Sequence, residues 1–113
     1  MGIHIIRERA TPEQIAEMAR PFGGMLIKLA VDVAREILAG GGGLHSDAER
    51  ALLEDGSQQE DIWGADWLPA TGEVVFEAMI NIRPRQGNYG MEIQNPEIRH
   101  RVERIVRRLL EGE

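Results

Sequence analysis

Residues 73–83 read EVVFEAMINIR, from Glu73 to Arg83. Taken alternately, Val74, Phe76, Ala78, Ile80 and Ile82 give one apolar face. Val75, Glu77, Met79, Asn81 and Arg83 give a mixed face with two charges and an amide. A period of two predicts a strand with one side on the core. The same strand then presents Glu77, Asn81 and Arg83 together as a polar surface on a rigid floor. Just upstream, IWGADWL at 62–68 completes a hairpin across Pro69-Ala70-Thr71-Gly72. A four-residue loop pairs Leu68 with Glu73 and Trp67 with Val74. Ala65 then falls opposite Phe76 and Trp63 opposite Ala78, so every apolar partner lands on one face.

Working outward, residues 3–8 (IHIIRE) predict a first strand. Thr11-Pro12-Glu13-Gln14 opens a helix, with Thr11 as cap, Pro12 at the first helical position and Gln14 closing a capping box. Residues 25–39 fit two readings: Leu26, Leu29, Val33 and Ile37 make a helical stripe, but the alternation and β-branched content favour two strands turning near Ala34-Arg35-Glu36. A three-residue turn keeps Ile37 and Ala39 on the face of Val31 and Val33, and Glu36 then occupies a position that glycine usually takes. Ser46 to Glu49 forms a second capping box for a helix that Gly56 stops. Asn95-Pro96 opens a final helix with Ile98, Val102, Ile105, Val106, Leu109 and Leu110 along one stripe. The order β-α-β-β-α-β-β-α predicts an α+β fold, a mainly antiparallel sheet of about five strands with about three helices packed on one face.

A length of 113 residues fits a single domain over 1–113, which buries roughly two-thirds of its unfolded surface without metal or disulfide. Cysteine is absent, which removes thiolate catalysis and Cys-based metal sites and fits a reducing, cytoplasmic setting. No run approaches the ~20 apolar residues of a membrane span, so no membrane partner is expected. With 13 basic against 19 acidic residues, net charge −6, nucleic acid is an unfavoured partner, because phosphate backbones need a concentrated positive face. Arg99, Arg101, Arg104, Arg107 and Arg108 are the one basic concentration, near the C-terminal end.

The candidate chemistry gathers on the mixed sheet face. If strand 25–33 adjoins 73–83, Asp32 comes near Glu77, Asn81 and Arg83, bordered by His45, Gln86 and Asn88. In that arrangement Arg83 holds an anion while Asp32, Glu77 or His45 moves a proton. Asn81, Arg83, Gln86 and Asn88 are the candidate binding residues. His45 and Asp47 are close enough in sequence to share a divalent metal, although Glu49 is already explained as a cap. Gly40 to Gly43 precede a helix but lack the Lys-Ser/Thr of a phosphate loop, and Asp47 and Glu49 would repel an anion there. No cofactor is expected.

Three stretches, GGGGLHSDAE at 40–49, GSQQEDIWG at 56–64 and INIRPRQGN at 80–88, resemble a family of short prokaryotic proteins known only as a domain of unknown function. The matching positions are His45, Asp47, Gly56, Ser57, Gln59, Asp61, Trp63, Gly64, Asn81, Arg83, Pro84, Gln86, Gly87 and Asn88. The resemblance implies a small stand-alone cytosolic domain and brings no activity or substrate. Two readings follow. The first is a non-enzymatic binding or protein-interaction module, expected to be a homodimer, with a polar sheet-face site. The second is a small hydrolase of an anionic, phosphorylated substrate, with or without a metal.

Overall fold

Two alternating segments, β2 (Ile27–Asp32) and β4 (Ile62–Trp67), pair antiparallel over their whole length and form the centre of the sheet. The computed structural model describes residues 2–113. Around that pair lie β1 (His4–Ile6), β3 (Ile37–Gly40) and β5 (Val74–Val75), in the spatial order β1-β3-β2-β4-β5. The helices are α1 (Pro12–Ala19), α2 (His45–Glu54) and α3 (Pro96–Val106), so the α+β class and the element order match the expectation. Among the described residues, no helix is long and apolar enough to cross a membrane.

The helix starts follow from local chemistry. Thr11 Oγ1 accepts from Gln14 N while Gln14 Oε1 accepts from Thr11 N, the reciprocal box read from the sequence. Asn95 Oδ1 accepts from Glu97 N at 2.8 Å and caps α3. At α2 the cap differs from the expected Ser46 box. The helix begins at His45, and Asp47 Oδ2 takes the N–H of Leu44 at 3.1 Å. An acidic side chain in the first turn also complements the helix dipole.

The helices are not on one face. Leu29 and Val31 of β2, Leu38 of β3 and Trp63 and Trp67 of β4 pack with Met18 of α1, with Val102 and Val106 of α3 and with Leu109 in the turn that follows it. On the opposite face Ala30, Ile37, Ala39 and Ile62 pack with Ala48 and Leu52 of α2. The sheet is therefore sandwiched, and the face expected to be an open polar floor lies under α2. A helix needs a partner for its apolar stripe, and the small residues Ala30 and Ala39 let α2 approach closely enough to supply one.

The β2–β3 turn supplies a second correction. Asp32 pairs with Ile37 and Val31 with Leu38, so the turn spans 33–36 and is one residue longer than expected. One residue moves Ile37 and Ala39 to the α2 face and puts Leu38 beside Val31. Asp32 Oδ1 accepts from Ala34 N and Arg35 N, both at 2.9 Å, and fixes the turn. Glu36 sits at φ 58°, the left-handed conformation that its position in the sequence suggested.

The hairpin begins in the expected register. Trp67 pairs with Val74, Asp66 with Val75, and Leu68 N donates to Glu73 O at 3.0 Å. Pairing then stops at Val75, so the single strand over 73–83 is not formed. Residues 76–93 fold instead as an irregular hairpin of their own. Ile93 N donates to Phe76 O and Ala78 N to Met91 O, with tight helical turns at Met79–Asn81 and Pro84–Gln86.

Two outcomes test this framework. Glu36→Gly relieves the left-handed strain, about 1–2 kcal/mol, against the extra chain entropy of glycine, so a net gain of about 0.5 kcal/mol in urea unfolding is expected. The second concerns Glu111, whose Oε2 accepts from the Trp67 indole at 2.8 Å and from Arg107 Nη1 at 2.9 Å. Burial pushes this carboxyl up, but the indole and the guanidinium outweigh it and hold it below the ordinary glutamate value. A depressed folded-state pKa adds stability above the unfolded value and loses it as pH falls through the folded one. Glu111→Gln should therefore lose less urea stability than the parent as pH falls through and below the ordinary glutamate range.

Candidate functional site

The outer edge of β4 is paired by β5 only at Asp66 and Trp67. Upstream of them, the Gly64 peptide groups turn outward and meet a side chain instead of a strand. Asn81 Oδ1 accepts from Gly64 N at 2.7 Å, and Asn81 Nδ2 donates to Gly64 O at 3.0 Å and Met91 O at 3.1 Å. A carboxamide carries one acceptor and two donors, enough to stand in for a peptide of a neighbouring strand. Asn81 is wholly buried. A Cβ on Gly64 would collide with the Ala78 Cβ and the Ile80 side chain, so only glycine lets the 78–81 segment cross this closely.

Asn88 holds the other arm of the hairpin. Its Nδ2 lies within 2.8–3.0 Å of the carbonyls of Asn81, Gly90 and Glu92, and its Oδ1 accepts from Gln94 N. Its backbone exchanges two hydrogen bonds with Arg83. Both asparagines thus serve buried backbone groups that would otherwise lack partners.

Arg83 joins three separate parts of the chain. Nε donates to Ile80 O at 3.0 Å, and Nη1 to Gln59 O at 2.7 Å and Gln86 Oε1 at 3.3 Å. Nη2 reaches Glu49 Oε2 of α2 at 3.4 Å, while the guanidinium lies 4.8 Å from the centre of the Trp63 ring. Gln86 extends the link through its Nε2, which donates to Glu60 O. The Arg83 side chain is only 9% exposed. Burial pulls its pKa below the ordinary arginine value, and the Glu49 charge pulls part of the way back. Such a guanidinium remains charged at neutral pH, but it is spent inside the protein rather than offered to a ligand.

His45 and Glu49 lie four residues apart on one face of α2 and both turn to the edge of β4. His45 Nε2 meets Asp66 Oδ1 at 2.7 Å while Glu49 meets Arg83. The two pairs pin the helix to the sheet. An imidazole held by a carboxylate can move a proton, yet no hydroxyl nucleophile is hydrogen-bonded to it, and Ser57 Oγ instead accepts from Arg35. Asp47 is used as the helix cap, separate from His45. Among the described residues, no group of three or more His, Cys, Asp or Glu is placed to hold a metal ion.

The structure brings Asn81, Arg83, Gln86 and Asn88 together, with His45 nearby through α2. It does not bring Asp32 or Glu77 to them. Asp32 is fully buried at the β2–β3 turn with Oδ2 lacking a hydrogen-bond partner, and Glu77 is exposed opposite Glu92 in the 76–93 hairpin. Glu49 and Asp66 were missed as site residues. The i,i+4 spacing of His45 and Glu49 and the alternation of Asp66 with Trp67 were signals for both.

A family model described as "Protein of unknown function (DUF5674)" matches residues 4–109, and the chain belongs to that family. No curated protein and no solved structure matches it. The stretches 40–49, 56–64 and 80–88 meet at Arg83, through Glu49, through Gln59 and Trp63, and through Ile80 and Gln86.

Because Arg83 and Asn81 satisfy buried groups, their loss should register as stability. Arg83→Ala leaves Glu49 unpaired and is expected to cost about 3 kcal/mol in urea unfolding. Asn81→Asp places a carboxylate against the Gly64 and Met91 carbonyls and should cost more than Asn81→Ala, at about 2 kcal/mol. Either result near zero would contradict the bonding described above.

Proposed function

We propose that this member of the family is a protein-interaction module of the cytosol that self-associates through the 79–91 segment. The supporting observation is the apolar surface carried by that segment. Met79 is 74% exposed and Tyr89 70%, with Ile82 and Met91 also exposed. The bridge between Arg83 and Asn88 sets Ile82 opposite Tyr89 in the hairpin register, and the bond from Ala78 to Met91 sets Met79 close to Met91. Four apolar side chains therefore stand on one short, internally bonded loop.

Exposed apolar residues scattered singly are ordinary, whereas a cluster on a pre-ordered loop marks a contact surface. The ordering matters for binding, because a loop already held by Asn81, Asn88 and Arg83 loses little further conformational entropy on docking. Tyrosine and methionine suit such a surface, one as an amphipathic anchor and the other as an adaptable filler. A second copy is the proposed occupant, since a two-fold axis would set each loop against its twin. The hydrolase reading is weaker. Asn81, Arg83 and His45 have their polar groups engaged within the chain, and Glu77 stands apart from them.

Sedimentation velocity over a wide concentration range tests this reading. The parent should sediment as a dimer that dissociates on dilution, while Met79→Glu and Tyr89→Glu should remain monomeric with unchanged circular dichroism. A parent that stays monomeric at every concentration would refute self-association.

A further inference from the structure

The basic residues at the C-terminal end face a hollow that is separate from the Arg83 cluster. Arg101, Arg104 and Arg108 fall at i, i+3 and i+7, so they share one stripe running from α3 into its widened last turn, Arg107–Glu111. The outer two grip the β2–β3 turn. Arg101 Nη2 donates to Val33 O at 2.9 Å, and Arg108 Nη2 to Glu36 O at 3.0 Å. Between helix and turn lies a cavity of about 410 Å³, lined among others by Val33, Glu36, His100, Arg101, Arg104 and Arg108.

The charges in this cavity are unevenly matched. Arg107 is taken by Glu103 and Glu111, and Arg108 faces Glu36. Glu103 and Glu113 also line the cavity. Arg101 spends its bond on a neutral carbonyl, and Arg104 has no hydrogen bond or ion pair from its side chain among the described residues. Two guanidiniums without a carboxylate partner, flanked by His100, thus look into one hollow of a chain whose net charge is −6.

We infer that this hollow binds a small phosphate-bearing molecule, with Arg104 as its principal contact and Arg101 and His100 beside it. Guanidinium forks match phosphate oxygens in pairs, and the volume lies in the range of small-molecule sites. The stripe spans only ~10 Å of helix, room for one or two phosphates and too short for the six or more that give a nucleic acid its affinity. This site goes beyond the self-association proposed above and does not depend on it.

Inorganic pyrophosphate is the probe, titrated at low salt with the full chain and followed by calorimetry and thermal unfolding. Arg104→Gln removes an exposed side chain that holds nothing in the fold, and Arg85→Gln removes an exposed arginine elsewhere. Pyrophosphate should raise the parent's unfolding temperature, with affinity about tenfold weaker in Arg104→Gln and unchanged in Arg85→Gln. No binding by the parent would overturn the inference. So would an equal loss in both variants, the mark of general charge screening. Single-stranded DNA bound more tightly than pyrophosphate would overturn it in favour of a polyanion surface.

Discussion

A buried carboxamide and a buried guanidinium, two residues apart, decide how the second half of the chain folds. Asn81 takes over the edge of β4 at Gly64, and Arg83 ties that crossing to α2, to the 59–63 segment and to its own loop. Neither group tolerates burial without partners, because stripping water from an amide or a charge costs several kcal/mol unless every bond is replaced. The chain meets that demand by bending the 76–93 segment until its carbonyls arrive. The irregularity of this region is thus a consequence of polar satisfaction rather than of loose packing.

Polar pairing also fixes the layer on the second side of the sheet. Its larger core takes α1 and α3, with the two tryptophans, and its smaller one takes only α2. A helix resting on alanines and two isoleucines gains modest apolar burial, so the His45–Asp66 and Glu49–Arg83 contacts fix where it lies. Polar pairs at the rim then set orientation, while the apolar contacts supply most of the stabilisation.

What the sequence disclosed was local. The Thr11 and Asn95 caps, the register from Trp67 to Val74 and the left-handed Glu36 each depend on a few neighbouring residues, and each could be read from them. What it concealed was tertiary. Alternation over 73–83 placed Ile82 in the core and Asn81 on the surface, whereas Ile82 is exposed and Asn81 is buried. A periodic pattern cannot announce that a side chain will replace a strand. The extra residue in the 33–36 turn was equally invisible, and it exchanged the faces of Ile37 and Leu38. Asn81, Arg83, Gln86 and Asn88 lie together in the fold, and the backbone carbonyls that they hold could not be read from their spacing.

The closure at Gly64 also bears on how copies of this chain can meet. An open sheet edge invites another chain to add a strand, by the β-augmentation that underlies much domain swapping and fibril growth. Here a single side chain has already consumed the hydrogen-bonding capacity of that position, and the crossing at Ala78 shields it sterically. At Gly64, contact with another copy is therefore left to side-chain surfaces rather than to main-chain templating.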